Sequence, residues 1–410
     1  MKSKCYFLFL SVIAWMGCAS DESDCFDKNN SPQLEILSLS KTISSDEAVS
    51  VAKEFMDGMS MTTRSTGSHE VSSVYPWKYS EIFGSSGNVT RGVSTESTDT
   101  MLYIVNFGQE EGYTLVYADK AMYGVVAYIE EGSLRPDDTI DNNGFKIFLD
   151  GLRGMRGASL ENVGLIDYQP IWENIAPMLT TKWSQYAPYN TYCFTPDSQQ
   201  AVAGCVAIAT AQIAAYHRYP SSYNGHTYDW DKILDYETVM LPDTDACKSV
   251  GHLVHDIGLL VNMEYGVSES AAISYNGSLC WAAFGYNYTW NTTINMWSIR
   301  NSLKAGRPVY MQGKRLKDDG SYGVHAWVID GSDNGIMLIP RIDSSGNPII
   351  RKIKVFLVHC NWGNGGSNDG YFILGAFDYK CLGLYQFENG HPAYNSENFN
   401  YTDVYPIPFT

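Results

Sequence analysis

The position of Cys205 suits nucleophilic chemistry. The residue follows Gly204 and opens the Ala-rich segment Val206 to Tyr216, which Pro220 closes. That pattern predicts a helix over Cys205 to His217. A thiol in the first turn of a helix feels the positive end of the helix dipole. Its pKa falls and the nucleophilic thiolate fraction rises. A buried cysteine packing as a small hydrophobe fits the same position, so position alone leaves both readings open. A nucleophilic thiol also needs an imidazole. His325 sits in Gly323-Val324-His325-Ala326-Trp327-Val328-Ile329-Asp330-Gly331, at the mouth of an apolar strand entered through a glycine. A third stretch, His359-Cys360-Asn361-Trp362-Gly363-Asn364-Gly365-Gly366-Ser367, places an Asn beside a Trp in a glycine-rich turn. An Asn carbonyl can orient an imidazole and an indole can shield that bond from water. An ordinary turn rich in Gly and Asn is the plainer reading.

The other candidates are weaker. His252 and His255 lie three apart on an expected helix over Ser249 to Val261. No third ligand is in view, so they read as a solvated face. His217 closes its helix ahead of Arg218-Tyr219-Pro220, where a cation suits the dipole, and reads as structural. None of the nine cysteines forms a C-x-x-C pair, so a zinc ribbon or a thioredoxin-like redox pair is unsupported.

These residues must be positioned by a chain of 410 residues, long enough for two or three domains. Lys and Arg total 28 against 45 Asp and Glu, a formal charge of −17 that argues against a nucleic-acid partner. At the N-terminus, Lys2 and Lys4 precede an apolar run from Tyr6 to Met16, too short to span a bilayer and suited to an export signal. Gly17-Cys18 after that run resembles a bacterial lipobox, with Trp15 in place of the usual Leu. The resemblance makes Cys18 the expected lipid attachment point and the only membrane contact. The expected division is signal 1–18, tether 19–35, a front domain 36–165 and a larger domain 166–410.

In the front domain, Ser44 and Glu47 form a capping box. Ala48, Val51, Ala52 and Phe55 follow as one apolar helix face, with Gly58 as the expected C-cap. Strand-like runs at Met101 to Phe107, Tyr113 to Ala118 and Val125 to Ile129 predict an antiparallel meander, hence a small α+β unit. In the larger domain, strands are expected at Pro308 to Met311, His325 to Ile329, Lys354 to His359 and Gly370 to Leu374.

Taken in the order Cys, His, Asn, the three chemical stretches form a papain-type set. Gly204-Cys205-Val206-Ala207-Ile208-Ala209 with Tyr216-His217-Arg218-Tyr219-Pro220 resembles the nucleophile helix of the streptopain family of bacterial cysteine peptidases. Leu179 to Gln185, Met263 to Gly266, His325 to Gly331 and Asn361-Trp362-Gly363 match in collinear order across roughly Ile175 to Phe372. The front domain is similar to that family's inhibitory propeptide.

The resemblance implies an α+β fold, with a papain-like domain in which the nucleophile's helix packs on an antiparallel sheet. It implies Cys205 as nucleophile, His325 as general acid/base and Gln185 as oxyanion donor, with Asn361 orienting His325 and Trp362 covering the pair. Gly204, Val324 and Ala326 are cleft candidates, and Val324 replaces the family's usual Gly. Asn364 replaces a second Trp. No metal or cofactor is required. Partners would be protein or peptide substrates and the chain's own propeptide. The implied function is an exported cysteine endopeptidase made as a zymogen. Its alternatives are papain-like amidase or transglutaminase-type acyl transfer, and a catalytically quiet surface-binding lipoprotein.

Overall fold

The computed structural model describes residues 42–60, 70–84, 99–153, 155, 174–239, 244–272, 276–317, 320–378 and 399–407. Cys18, the tether and the expected boundary near 165 lie outside them. The capping box forms as expected: Ser44 N–H donates to Glu47 Oε2 at 2.7 Å and Glu47 N–H to Ser44 Oγ at 3.2 Å. Helix α1 (Ser45–Ser60) runs past Gly58, because Met59 continues the buried face of Ala48, Ala52 and Met56. The meander is present as β2 (Thr100–Phe107), β3 (Tyr113–Tyr117) and β4 (Tyr123–Ile129).

Three front elements are not expected from the sequence pattern above. Strand β1 (Val71–Lys78) pairs antiparallel with β2, and short α2 (Tyr79–Phe83) follows it. Helix α3 (Asn143–Arg153) does carry a readable signal. Asn142 Oδ1 caps it by accepting Phe145 N–H at 3.0 Å. Phe145, Phe148, Leu149 and Leu152 then recur at i, i+3, i+4 and i+7.

The larger region begins its regular structure with α4 (Cys205–His217), the bounds expected. A hairpin of β5 (Ser222–Tyr223) and β6 (His226–Thr227), then α5 (Trp230–Ile233), α6 (Thr244–Leu260) and α7 (Gly277–Phe284), complete the helical side. Strand β7 (Tyr286–Asn291), α8 (Met296–Lys304), β8 (Val309–Leu316), β9 (Tyr322–Ile342), β10 (Pro348–Asn361), β11 (Gly370–Ile373) and β12 (Phe399–Pro406) follow. Strand β9 outruns its expected end at Ile329. Asp330 to Gly335 carries turn residues, but β10 holds it extended through pairs such as Asp333↔Leu357 and Gly335↔Val355.

Front and rear strands form one antiparallel sheet in the order β1-β2-β3-β4-β11-β10-β9-β8-β12-β7. The junction is β4 on β11, with Gly370↔Ile129, Tyr371↔Tyr128 and Phe372↔Ala127. Strand alternation divides the interior in two. Trp327 and Ile329 of β9 pack with the front elements, whereas Ala326 and Val328 pack with α4, α6 and α7. The first core has contributors from both regions. Phe148 of α3 meets Phe372 of β11 edge-on at 4.9 Å between centroids and Phe377 at 6.0 Å.

Phe148→Ala should therefore cost about 3–5 kcal/mol in urea unfolding of the intact chain, the usual toll for a fully buried Phe. A loss under roughly 1 kcal/mol would mean that the α3 contact contributes little.

Candidate active site

Cys205 is the first residue of α4, and a tight turn aims it. Gly204 has φ +89°, a conformation that favours glycine, and a Cβ there would also press on the movable end of Met263. The segment before it is pinned on two sides. Ala203 N–H donates to Gln185 O at 2.9 Å, and Ser270 Oγ donates to Val202 O at 2.7 Å. The first bond ties the segment carrying Gln185 to the nucleophile turn.

His325 lies on β9 and Asn361 ends β10, the adjacent strand. The structure does not join them by a hydrogen bond. His325 Nε2–H donates instead to the Trp362 carbonyl at 2.8 Å, because a carbonyl can only accept. Asn361 is committed elsewhere: Nδ2 donates to Thr181 O at 2.7 Å, and Oδ1 accepts from Gln212 Nε2 at 3.0 Å and Gly363 N at 3.1 Å. Gln212 also accepts the Thr181 hydroxyl proton at 2.8 Å. Sequence reasoning gave Gln212 no role, although it is a lone amide in an Ala/Ile helix and two turns from Cys205 on the same face.

Trp362 is fully buried, with its ring 6.5 Å from the His325 ring. Trp327, also unassigned from sequence, lies nearly parallel to His325 at 6.3 Å. The front region closes this pocket. A Cβ on Gly144 of α3 would collide with the Trp362 ring and lie 2.8 Å from His325 Cδ2. Only glycine allows α3 to sit so close.

Both chemical groups are neutral in this covered state. Burial drives His325 down to about 4, against the smaller opposing effect of the Trp362 hydrogen bond. Burial raises the Cys205 thiol, while backbone N–H groups of Ala326, Val206 and Cys205 itself pull it back. Among the described residues no hydrogen bond joins Cys205 to His325, so no thiolate–imidazolium pair is assembled.

A polar cavity of about 650 Å³ lies beside His325. Gln185, Tyr186, Asn364 and Ser367 line it from the rear region, and Ile140 to Asn143 from the front. Asn142 Nδ2 donates to Ser367 O at 3.0 Å across that boundary. The cleft candidates expected from the resemblance, Gly204, Val324 and Ala326, do not line it. Val324 pairs with Lys314 of β8, and Ala326 is buried opposite Gln312.

Among the described residues, His217, His226 and His252 have structural partners. His217 is held neutral by burial, with Nε2 bonded to Val404 O at 3.0 Å, rather than serving the dipole as a cation. His252 stacks between Tyr192 and His226, and His226 Nδ1 bonds Asp256 at 2.8 Å. Among the described residues no cluster of three His, Cys, Asp or Glu side chains could hold a metal ion. Cys193, Cys205, Cys280 and Cys360 are free thiols.

A Cys-headed helix beside a His-bearing strand, with an inhibitor-like region against the His, agrees with comparisons to known proteins. Residues 183–372 match the peptidase C10 family, and residues 40–154 match the Spi protease inhibitor. The matched region is that of a streptopain-like C10 peptidase. This C10 peptidase is 26% identical over 353 residues to streptopain of Streptococcus pyogenes, covering 73% of this chain and 80% of that one. It is 26% identical over 351 residues to the thiol protease/hemagglutinin PrtT of Porphyromonas gingivalis, spanning 73% of this chain but only 36% of that longer protein. Its fold resembles a prointerpain A fragment from Prevotella intermedia, with a TM-score of 0.54 at 19% identity over 82% of this chain and all of that one. The chain is thus a streptopain-like cysteine peptidase of α+β fold with an N-terminal propeptide-like region.

The His325 burial gives a pH dependence. Its pKa is about 4 in the covered form and near 6.5 when exposed. The exposed form therefore binds more protons below 6.5, and the covered form loses stability as pH falls from 6.5 towards 4. In a Cys205→Ala chain, amide exchange in α3, corrected for intrinsic rates, should be faster at pH 5 than at pH 7.5. Equal protection would show that His325 does not govern the cover.

Proposed function

We propose that this C10 peptidase is an exported endopeptidase held latent by its own front region. The proposed division is signal 1–18, with lipid on Cys18, tether 19–35, propeptide 36–165 and peptidase 166–410. Among the described residues no helix is long and apolar enough to cross a membrane. The observation that carries the latency reading is Gly144, which seats α3 against the His325 and Trp362 rings.

Release of α3 would admit water and substrate to His325. The ring could then leave the Trp362 carbonyl and pair with Cys205. The Cys205 thiolate attacks the scissile carbonyl carbon, and the developing oxyanion accepts hydrogen bonds from the Gln185 side-chain amide and the Cys205 N–H. His325 protonates the leaving amine, which departs and leaves a thioester. His325 next takes a proton from water, and the hydroxide adds to the thioester carbonyl and expels the Cys205 thiolate, which releases the acid product and restores the thiolate–imidazolium pair. Asn361 already sits on the strand beside His325 and would orient it, with Trp362 and Trp327 excluding water.

Cys205→Ala or His325→Ala should lower peptide hydrolysis by roughly 10⁴-fold or more. Gln185→Ala should lower kcat by about 10²–10³-fold. Undiminished hydrolysis by the Cys205 variant would sink the assignment. Gly144→Leu in the full chain should speed self-processing at least about tenfold, a shift of ~1.4 kcal/mol. An unchanged processing rate would remove Gly144 from the account of latency.

A further inference from the structure

The turn after β10 is fixed by a carboxylate outside the Cys–His–Asn set. Asp369 immediately precedes β11, and its Oδ1 accepts the Trp362 N–H at 2.9 Å. The indole of the same tryptophan donates from Nε1 to Asn368 O at 2.8 Å. Both the backbone and the ring of Trp362 are therefore held by consecutive residues at the far end of the turn. The carbonyl of Trp362 in turn holds His325. On the other side, Gly363 N–H closes back onto Asn361 Oδ1. Asp369 is the ionisable group in this set. A hydrogen bond to a carboxylate is roughly twice as strong as one between neutral groups.

We propose that Asp369 is a positioning residue for the proposed reaction: its carboxylate fixes the Trp362 peptide, and through it the site occupied by His325. The inference rests on His325 being the general acid/base. Asp369 touches neither substrate nor thiol. It acts by restricting the dihedral angles around Trp362, so Asn361 and the indole keep their places when the imidazole turns towards Cys205.

The charges around Asp369 come from three directions: Asp330 on β9, His359 on β10 and Lys182 in the segment before α4. Desolvation pushes Asp369 up to about 7, while the His359 and Lys182 charges pull it down and Asp330 pushes it up. Each of those cations also faces a front-region carboxylate. His359 Nε2 lies 3.6 Å from Glu130, and Lys182 Nζ lies 3.1 Å from Glu131. Departure of the front region removes both carboxylates. The two cations then favour the ionised Asp369 more strongly, and its hold on Trp362 tightens in the released enzyme.

The test uses the full chain, processed by a trace of active enzyme and assayed on a peptide from pH 5 to 9. Asp369→Ala should lower kcat about 10–100-fold with KM within about twofold, the split expected when only the reacting geometry is disturbed. Asp369→Asn keeps an acceptor oxygen in place. It should recover most of kcat at neutral pH and flatten the acid limb of the kcat profile, which in the released enzyme lies below pH 7. If Asp369→Ala does not fold, the Asn variant decides alone: retained kcat with a flattened profile supports the role, and a lost kcat or an unchanged profile overturns it. A folded Ala variant with wild-type kcat and profile also overturns it. His325→Ala runs in parallel, and activity there would overturn the catalytic reading itself.

Discussion

The hydrogen bond from His325 Nε2 to the Trp362 carbonyl, in a pocket shut by Gly144, sets the state of the rest of the site. A carbonyl accepts one proton and carries no charge that would offset a buried imidazolium. The ring is thus held neutral by desolvation. A neutral imidazole gives the Cys205 thiol no cation to pair with, and burial raises that thiol as well. Latency on this reading needs no distortion of the helix carrying Cys205. It needs only that both groups stay uncharged, since each member of a thiolate–imidazolium pair depends on the other's charge.

The cover over His325 is also part of the fold. β4 pairs with β11, so the front region extends the rear sheet by main-chain hydrogen bonds, while α3 buries the apolar face carrying Trp327 and Phe372. Charge adds a second seam. His359 is driven up to about 10, because Asp330 at 2.6 Å and Glu130 outweigh the cost of its burial. A protonated imidazole in that place makes Glu130 a needed neighbour, since removing one partner of a buried charged group leaves the other uncompensated. Two histidines on adjacent strands therefore take opposite protonation states. His325 faces a carbonyl and His359 faces carboxylates.

Much of this is legible in the residues. The span of α4, the capping box of α1 and the β2–β4 meander follow from local pattern, because their periodicity and end signals agree with their final burial. Cys205, His325 and Asn361 are also legible as a set, since each sits at a helix start or strand end where side-chain type carries information. Helix α3 is readable from Asn142 and the Phe145/Phe148/Leu149/Leu152 spacing. The full length of β9 is not. Asp330 to Gly335 has the composition of a turn, and only pairing with β10 keeps it extended.

Sequence by itself determined which chemistry the chain carries, because nucleophile, imidazole and amide are properties of side chains. Tertiary structure decided what state that chemistry is in. The partners of His325 and Asn361 were set by long-range approach: Gly144 across the front boundary, Gln212 on a helix, Asp369 at the end of a turn. No local pattern encodes those distances. They follow from the sheet that joins front to rear, since burial depth and neighbouring charge govern protonation and both exist only once the chain has folded.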